Sequence, residues 1–248
     1  ALAAATNIEL LLKADVAANG DLLRARALLA QGKDEEGMAI LEKLRTEHRG
    51  TQAAVYSYVV QAARLSQRGL LADAQKVLTD LADSNRESEF APLALYQAAL
   101  NAERQGLERN LQEGYNLLER INRDYAGDKL HFYALLKQGD LLRKMNNFSA
   151  ARQVYELMIN NYGRHPDVLL AQLALADTLF ALGANSVVNH ESAAALYERL
   201  RDLPDAPVDL RAEAGFKWGF AAAKRGQPAK AIPDRKSTRL NSSHITIS

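Results

Sequence analysis

Gly139-Asp-Leu-Leu-Arg-Lys-Met-Asn-Asn-Phe-Ser-Ala-Ala-Arg-Gln-Val-Tyr155 is the stretch that decides how this chain of 248 residues is read. It holds the end of one helix, a turn at Asn146 and the start of a second helix. Gly139 lies seven residues before the turn and Leu142 four before it, which places both on one helical face. Ala151 lies five residues past the turn, and Tyr155 and Met158 follow Ala151 at four and seven. Small residues let two helix backbones approach closely, while large apolar residues at four and seven fill the space beside the crossing.

The same register recurs through the chain. Turn residues stand at Gly32, Gly69, Gly106, Asn146, Gly183 and Gly226, separated by 37, 37, 40, 37 and 43 residues. Seven before each lies a small residue: Ala25, Ala62, Ala99, Gly139, Ala176 and Gly219. Four before each lies Leu28, Leu65, Ala102, Leu142, Leu179 or Ala222. A small residue follows four of the turns at five: Gly37, Ala74, Ala151 and Ala231. The other two reach Gly114 and Ala193 after insertions of about three and five residues. Large apolar residues then follow at four (Leu41, Leu78, Leu118, Tyr155, Tyr197) and at seven (Leu44, Leu81, Ile121, Met158, Leu200). A random amphipathic helix gives the three-to-four spacing, but not small residues in register with every turn.

This pattern resembles the tetratricopeptide repeat, whose helix–turn–helix unit is typically about 34 residues. The resemblance covers roughly residues 18–232. Departures are the longer period, Asn146 in place of a turn glycine, and the two lengthened turns. The long period, with segments such as Ile159-Asn-Asn-Tyr-Gly-Arg-His-Pro166, resembles bacterial envelope-associated members and leans the localisation toward periplasm or cell envelope. The resemblance implies an all-α, right-handed α-solenoid (superhelix) of antiparallel helix pairs with about six repeats. Residues 1–17 are expected to be the second helix of a preceding repeat, and 18–233 the repeat array. The sixth repeat breaks off at Ile232-Pro233 with no polar capping helix, so the array is expected to be truncated there.

Residues 234–248, DRKSTRLNSSHITIS, change character and resemble the translation of a sequencing adapter, so they are expected to be a non-native, disordered tail. The tail carries Arg235, Lys236 and Arg239 against Asp234, and without it the formal net charge passes from +1 to −1. Its Asn241-Ser242-Ser243 glycosylation pattern carries no weight for the same reason.

Composition agrees with helices and narrows the chemistry. Hydrophobic residues make up 48% and aromatics 6%, with Ala and Leu dominant, which favours helices packed close together. The absence of cysteine removes disulfides, thiolate zinc sites and a cysteine nucleophile. No apolar run approaches the roughly 18 residues of a membrane span, and Ala1–Ala5 has no secretion-signal pattern. Phosphate loops, HExxH and EF-hand patterns do not occur. His48, His131, His165 and His190 fall in different repeats and read as loop or helix-end histidines. Asp34-Glu35-Glu36 opens a helix, where carboxylates complement the helix dipole. Trp218, next to the small Gly219, reads as packing. Neither catalytic, cofactor nor metal residues are assigned.

The expected function is a protein–protein interaction scaffold that binds a peptide or protein on the concave face. The family resemblance puts the first helices of each pair on that face, and Tyr and Arg carry much of the energy at interfaces. The candidates are Arg26, Tyr56, Tyr96, Arg104, Tyr133, Asp140, Arg143, Lys144 and Asp177. Arg143 and Lys144 face Asp140 and Asp177 in this register, so the groove is mixed in charge. That argues against clamping of a terminal carboxylate by a basic groove. Interspersed charge signs argue against nucleic acid, and no strongly basic amphipathic face points to a membrane surface. Self-association stays open. The alternative reading is the substrate-positioning arm of a larger enzyme.

Overall fold

The computed structural model describes residues 2–224, and the side chains of residues 15–184 and 186–224. Among the described residues there are eleven α-helices and no strand. They run α1 (Leu2–Ala30), α2 (Asp34–Glu47), α3 (Gln52–Gln67), α4 (Leu71–Ser84), α5 (Ala91–Gln105), α6 (Glu108–Asp124), α7 (His131–Lys144), α8 (Phe148–Asn161), α9 (Val168–Leu182), α10 (Val187–Arg201) and α11 (Val208–Lys224). A single 3-10 turn, Gly183–Asn185, separates α9 from α10. The chain packs as two compact units, divided between residues 134 and 135 inside α7. The sequence pattern gives no hint of that division.

In the first unit each helix packs on its chain neighbour from α1 to α6, and α1 also packs on α3. The register read from the sequence is the packing code. Ala25, Ala62 and Ala99 on the first helices are fully buried. Leu44, Leu78, Leu81, Leu118 and Ile121 on the second helices are fully buried too, and Leu41 nearly so. Burying one such side chain is worth about 1.5–3 kcal/mol, so the apolar ladder supplies the main driving force. The second unit repeats this. Ala151, Tyr155 and Met158 of α8 and Ala193 and Leu200 of α10 are fully buried. Nine residues of α9 are buried, which makes it the central helix of the unit. Gly139 is small for a concrete reason. A Cβ built there would lie 2.5 Å from two carbons of the Tyr155 ring.

The turns follow from local chemistry. Gly32, Gly69 and Gly106 hold φ of +80°, +80° and +78°, where an L side chain is strained. Asn146 takes the same left-handed region at +58°, the residue type that tolerates it next best. Replacing Gly69 with alanine should cost about 1 kcal/mol by forcing a Cβ into that region. Nothing lies within 4 Å of that Cβ, so chemical denaturation of this variant reads the backbone strain alone.

Three expectations meet a different outcome. Residues 2–30 form one continuous helix, so the break expected between residues 17 and 18 is absent from the described chain. Asn19-Gly20 is too weak a stop signal, since an internal glycine costs a helix only about 1 kcal/mol. Gly183 does not turn left-handed, its φ being −68°. The five-residue insertion is taken up by the 3-10 turn and by Ser186, whose hydroxyl accepts from the Asn189 amide. Gly183 is small because a Cβ would lie 2.7 Å from the His190 ring. The shorter insertion instead lengthens a helix: α6 has 17 residues, against 14 in α2, α4 and α8. Gly226, the second helix of the sixth repeat and the 234–248 tail lie outside the described residues.

Candidate functional site

In the first unit, α1, α3 and α5 place Arg26, Tyr56, Tyr96 and Arg104. Arg26 is exposed on α1, and Arg104 is exposed in the last turn of α5. A recess of about 320 Å³ opens between these helices, lined by Arg26 and Ala30 of α1, Tyr56, Val60 and Ala63 of α3, and Gln97 of α5. Tyr56 packs one side of its ring against the core cluster of α1–α3, with Phe90 at 5.1 Å between ring centroids. It serves the core and the recess together. Tyr96 and Tyr133 are half-buried, and Tyr133 meets the Phe132 ring edge-on at 5.3 Å.

Arg45, Arg64 and Arg68 are committed within the fold. Arg64 donates from Nε and a terminal nitrogen to Asp34 Oδ1, each at 2.7 Å, and Arg68 reaches Asp34 Oδ2 at 3.3 Å. Asp34 thus sits in the first turn of α2, as its helix-dipole reading has it, and also ties α2 to α3. Arg45 donates from Nε to Ser57 Oγ at 2.8 Å and lies over the Tyr58 ring at 3.8 Å. Burial pulls the Arg45 guanidinium below its ordinary pKa. Neither Arg26 nor Arg104 has a hydrogen-bond or ion-pair partner among the described residues.

The second unit brings Asp140, Arg143 and Asp177 into one network. Tyr155 donates to Asp140 Oδ1 at 2.8 Å, and Lys137 stands 3.8 Å from Asp140 Oδ2. Tyr197 donates to Asp177 Oδ1 at 2.8 Å. Asp177 Oδ2 accepts from Lys217 at 2.8 Å and from Arg143 at 3.3 Å. Lys217 also meets Glu213 at 2.7 Å. Burial first, then the adjacent carboxylate, pushes both phenols far above the ordinary tyrosine range. A smaller recess of about 240 Å³ lies beside this network, lined by Arg143, Asp177, Phe180, Tyr197, Phe216 and Phe220. Lys144 is exposed at the end of α7.

The charged candidates therefore differ in whether the fold engages them. Asp140, Arg143 and Asp177 are engaged within the fold, with Tyr155, Tyr197 and Lys217 as partners that sequence reading did not assign. The signal was present in the register. Where an aspartate follows the small residue of the first helix, tyrosine occupies the large position of the second: Asp140 with Tyr155, and Asp177 with Tyr197. Where arginine, alanine or leucine follows it, at Arg26, Ala63 and Leu100, that position is Leu41, Leu78 or Leu118. Trp218 packs under Arg201, whose guanidinium carbon lies 4.3 Å from the ring centroid. Among the described residues no three His or acidic side chains form a metal-binding group, and no helix is long and apolar enough to cross a membrane.

The family pattern of the tetratricopeptide repeat matches residues 133–165. No curated protein matches. Solved structures do. MamA (41-end) from Desulfovibrio magneticus RS-1 is 18% identical at a TM-score of 0.58, over 77% of this chain and 97% of that one. A Podospora anserina structure built of nearly identical TPR-like repeats is 17% identical at 0.60, over 78% and 97%. NprR in complex with its cognate peptide NprX is 12% identical at 0.51, over 93% and 68%.

Proposed function

We propose that the chain, which carries the tetratricopeptide pattern at residues 133–165 and shares the fold of TPR-like repeat structures, is a scaffold between proteins and binds a segment of a partner protein on the α1–α3–α5 face of its first unit. The observation that carries the reading is the recess of about 320 Å³, with its apolar floor and with Arg26 at its rim. Tyr56, Val60 and Ala63 supply a surface that gains from desolvation, and an unpaired arginine supplies a directed contact. The candidates of the second unit support this choice by elimination. Asp140, Arg143 and Asp177 already take part in the network with Tyr155, Tyr197 and Lys217, and an outside ligand would have to displace those bonds. NprR, which shares the fold, was solved with a bound peptide.

Panning a random-peptide phage library against the intact chain tests this. Ala63 is exposed and lines the recess, so Ala63→Glu fills the recess without entering the core. Peptides enriched on the wild-type protein should bind this variant about tenfold more weakly, the loss expected when an anchoring pocket is blocked. Absence of enrichment, or equal binding to the variant, rejects the reading.

A further inference from the structure

We propose that the segment bound on the α1–α3–α5 face is acidic with an apolar centre. Two carboxylates meet Arg26 and Arg104, and an apolar side chain between them enters the recess. This rests on the reading that the face binds a protein segment, and it adds the chemistry of that segment.

The charge balance of the face carries the argument. Gln52–Gln67, the whole of α3, contains no acidic residue, and α5 contains only Glu103. The carboxylate of Asp34 is taken by Arg64 and Arg68. Arg26 lines the recess beside Tyr56, Val60 and Ala63, and neither it nor Arg104 has a counter-charge among the described residues. The second unit shows what such cations take when the chain supplies it. Asp140 and Asp177 hold the position equivalent to Arg26, one residue after the small one, and Asp177 neutralises both Arg143 and Lys217. Arg26 itself stands where the second unit has those carboxylates, so the first unit lacks them at this position and a partner can bring them.

Spacing makes the proposal quantitative. Neighbouring packed helices lie about 10 Å apart, so α1 and α5, with α3 between them, are separated by about 20 Å. That α3 and α5 are neighbours is fixed by the Ser66–Asn101 hydrogen bond at 2.9 Å. An extended segment rises about 3.3 Å per residue, so about six residues separate the two carboxylates. Two arginines over an apolar floor are too few for a nucleic-acid backbone, which needs a stripe of cations.

Fluorescence anisotropy with the full chain and labelled nonapeptides tests it. The peptides are acetylated and amidated, so that no terminal charge contributes. One carries two glutamates six residues apart with a leucine two residues after the first, so that all three share one face of the extended segment, and its controls replace the glutamates with glutamine or lysine. The glutamate peptide should bind about tenfold more tightly than the glutamine peptide, the combined effect of two rim ion pairs. That advantage should vanish in the R26Q/R104Q double variant and shrink as salt rises. The proposal fails if the glutamine or lysine peptide binds as tightly. It fails equally if the glutamate advantage survives in the double variant, or if a single-stranded oligonucleotide binds while the peptides do not discriminate. If none of these peptides binds but panning yields others, the acidic segment is wrong and the scaffold reading stands. If panning also yields nothing, both fall.

Discussion

Replacing Asp177 with alanine should destabilise the second unit by about 3 kcal/mol and lower its melting temperature by roughly 15 °C. One carboxylate here answers three donors: Tyr197 from α10, Lys217 from α11 and Arg143 from α7. Only 17% of its side chain is exposed, and Arg143 and Lys217 are 30% and 27% exposed, so water cannot fully take its place. Alanine leaves two cations without their common counter-charge and a buried phenol without its acceptor. Each of those losses exceeds the net worth of the bond that was formed. Asp177→Asn separates the parts. The amide oxygen still accepts from Tyr197 while the charge is gone, so this variant should fall between wild type and alanine. Thermal melts followed by circular dichroism check both, and an Asp177→Ala melt within about 2 °C of wild type would show the network to be inert.

That network marks where the sequence was readable. Helix pairing was legible because it rests on steric demands that recur: Ala25, Ala62, Ala99 and Ala176 are fully buried where backbones cross, and Leu44, Leu81, Ile121 and Met158 fill the spaces between. A demand repeated in every pair leaves a periodic trace. The candidate site was legible only in part, because register predicts which residues share a face but not which charges find each other. Arg143 and Asp177 stand 34 residues apart, and Lys217 a further 40 away. Nothing local separates a cation that will be neutralised from one, such as Arg26, that stays free. The Asp–Tyr association of the fourth and fifth repeats was a legible exception, since both members sit at fixed register positions. Single-position details escaped altogether. Gly183 looks like the other turn glycines, yet its role is to admit the His190 ring.

Raising the pH above about 10 should destabilise the protein steeply, and the two buried phenols supply a defined share of that loss. Tyr155 is fully buried and Tyr197 is 2% exposed. Burial and the carboxylates of Asp140 and Asp177 raise both above the ordinary tyrosine pKa. The unfolded chain releases these protons near pH 10, whereas the folded chain retains them. Above that pH the folded state binds more protons, so stability falls as pH rises; below about pH 9 their contribution is fully present. Each phenol then costs about 1.4 kcal/mol per pH unit, which amounts to about 3 kcal/mol for the pair between pH 9 and 11. Tyr115 and Tyr125 are also raised. The Y155F/Y197F double variant removes that ambiguity, because those groups remain and cancel in the comparison. At pH 7 the variant should be less stable by about 2 kcal/mol, the worth of two hydrogen bonds. By pH 11 the wild-type protein should have lost that advantage and the order should invert. Denaturant unfolding at pH 7, 9, 10 and 11 reads the crossover directly. A gap that stays constant across the series would mean that the phenols are not held protonated by the fold, and that the hydrogen bonds to Asp140 and Asp177 do not persist in solution.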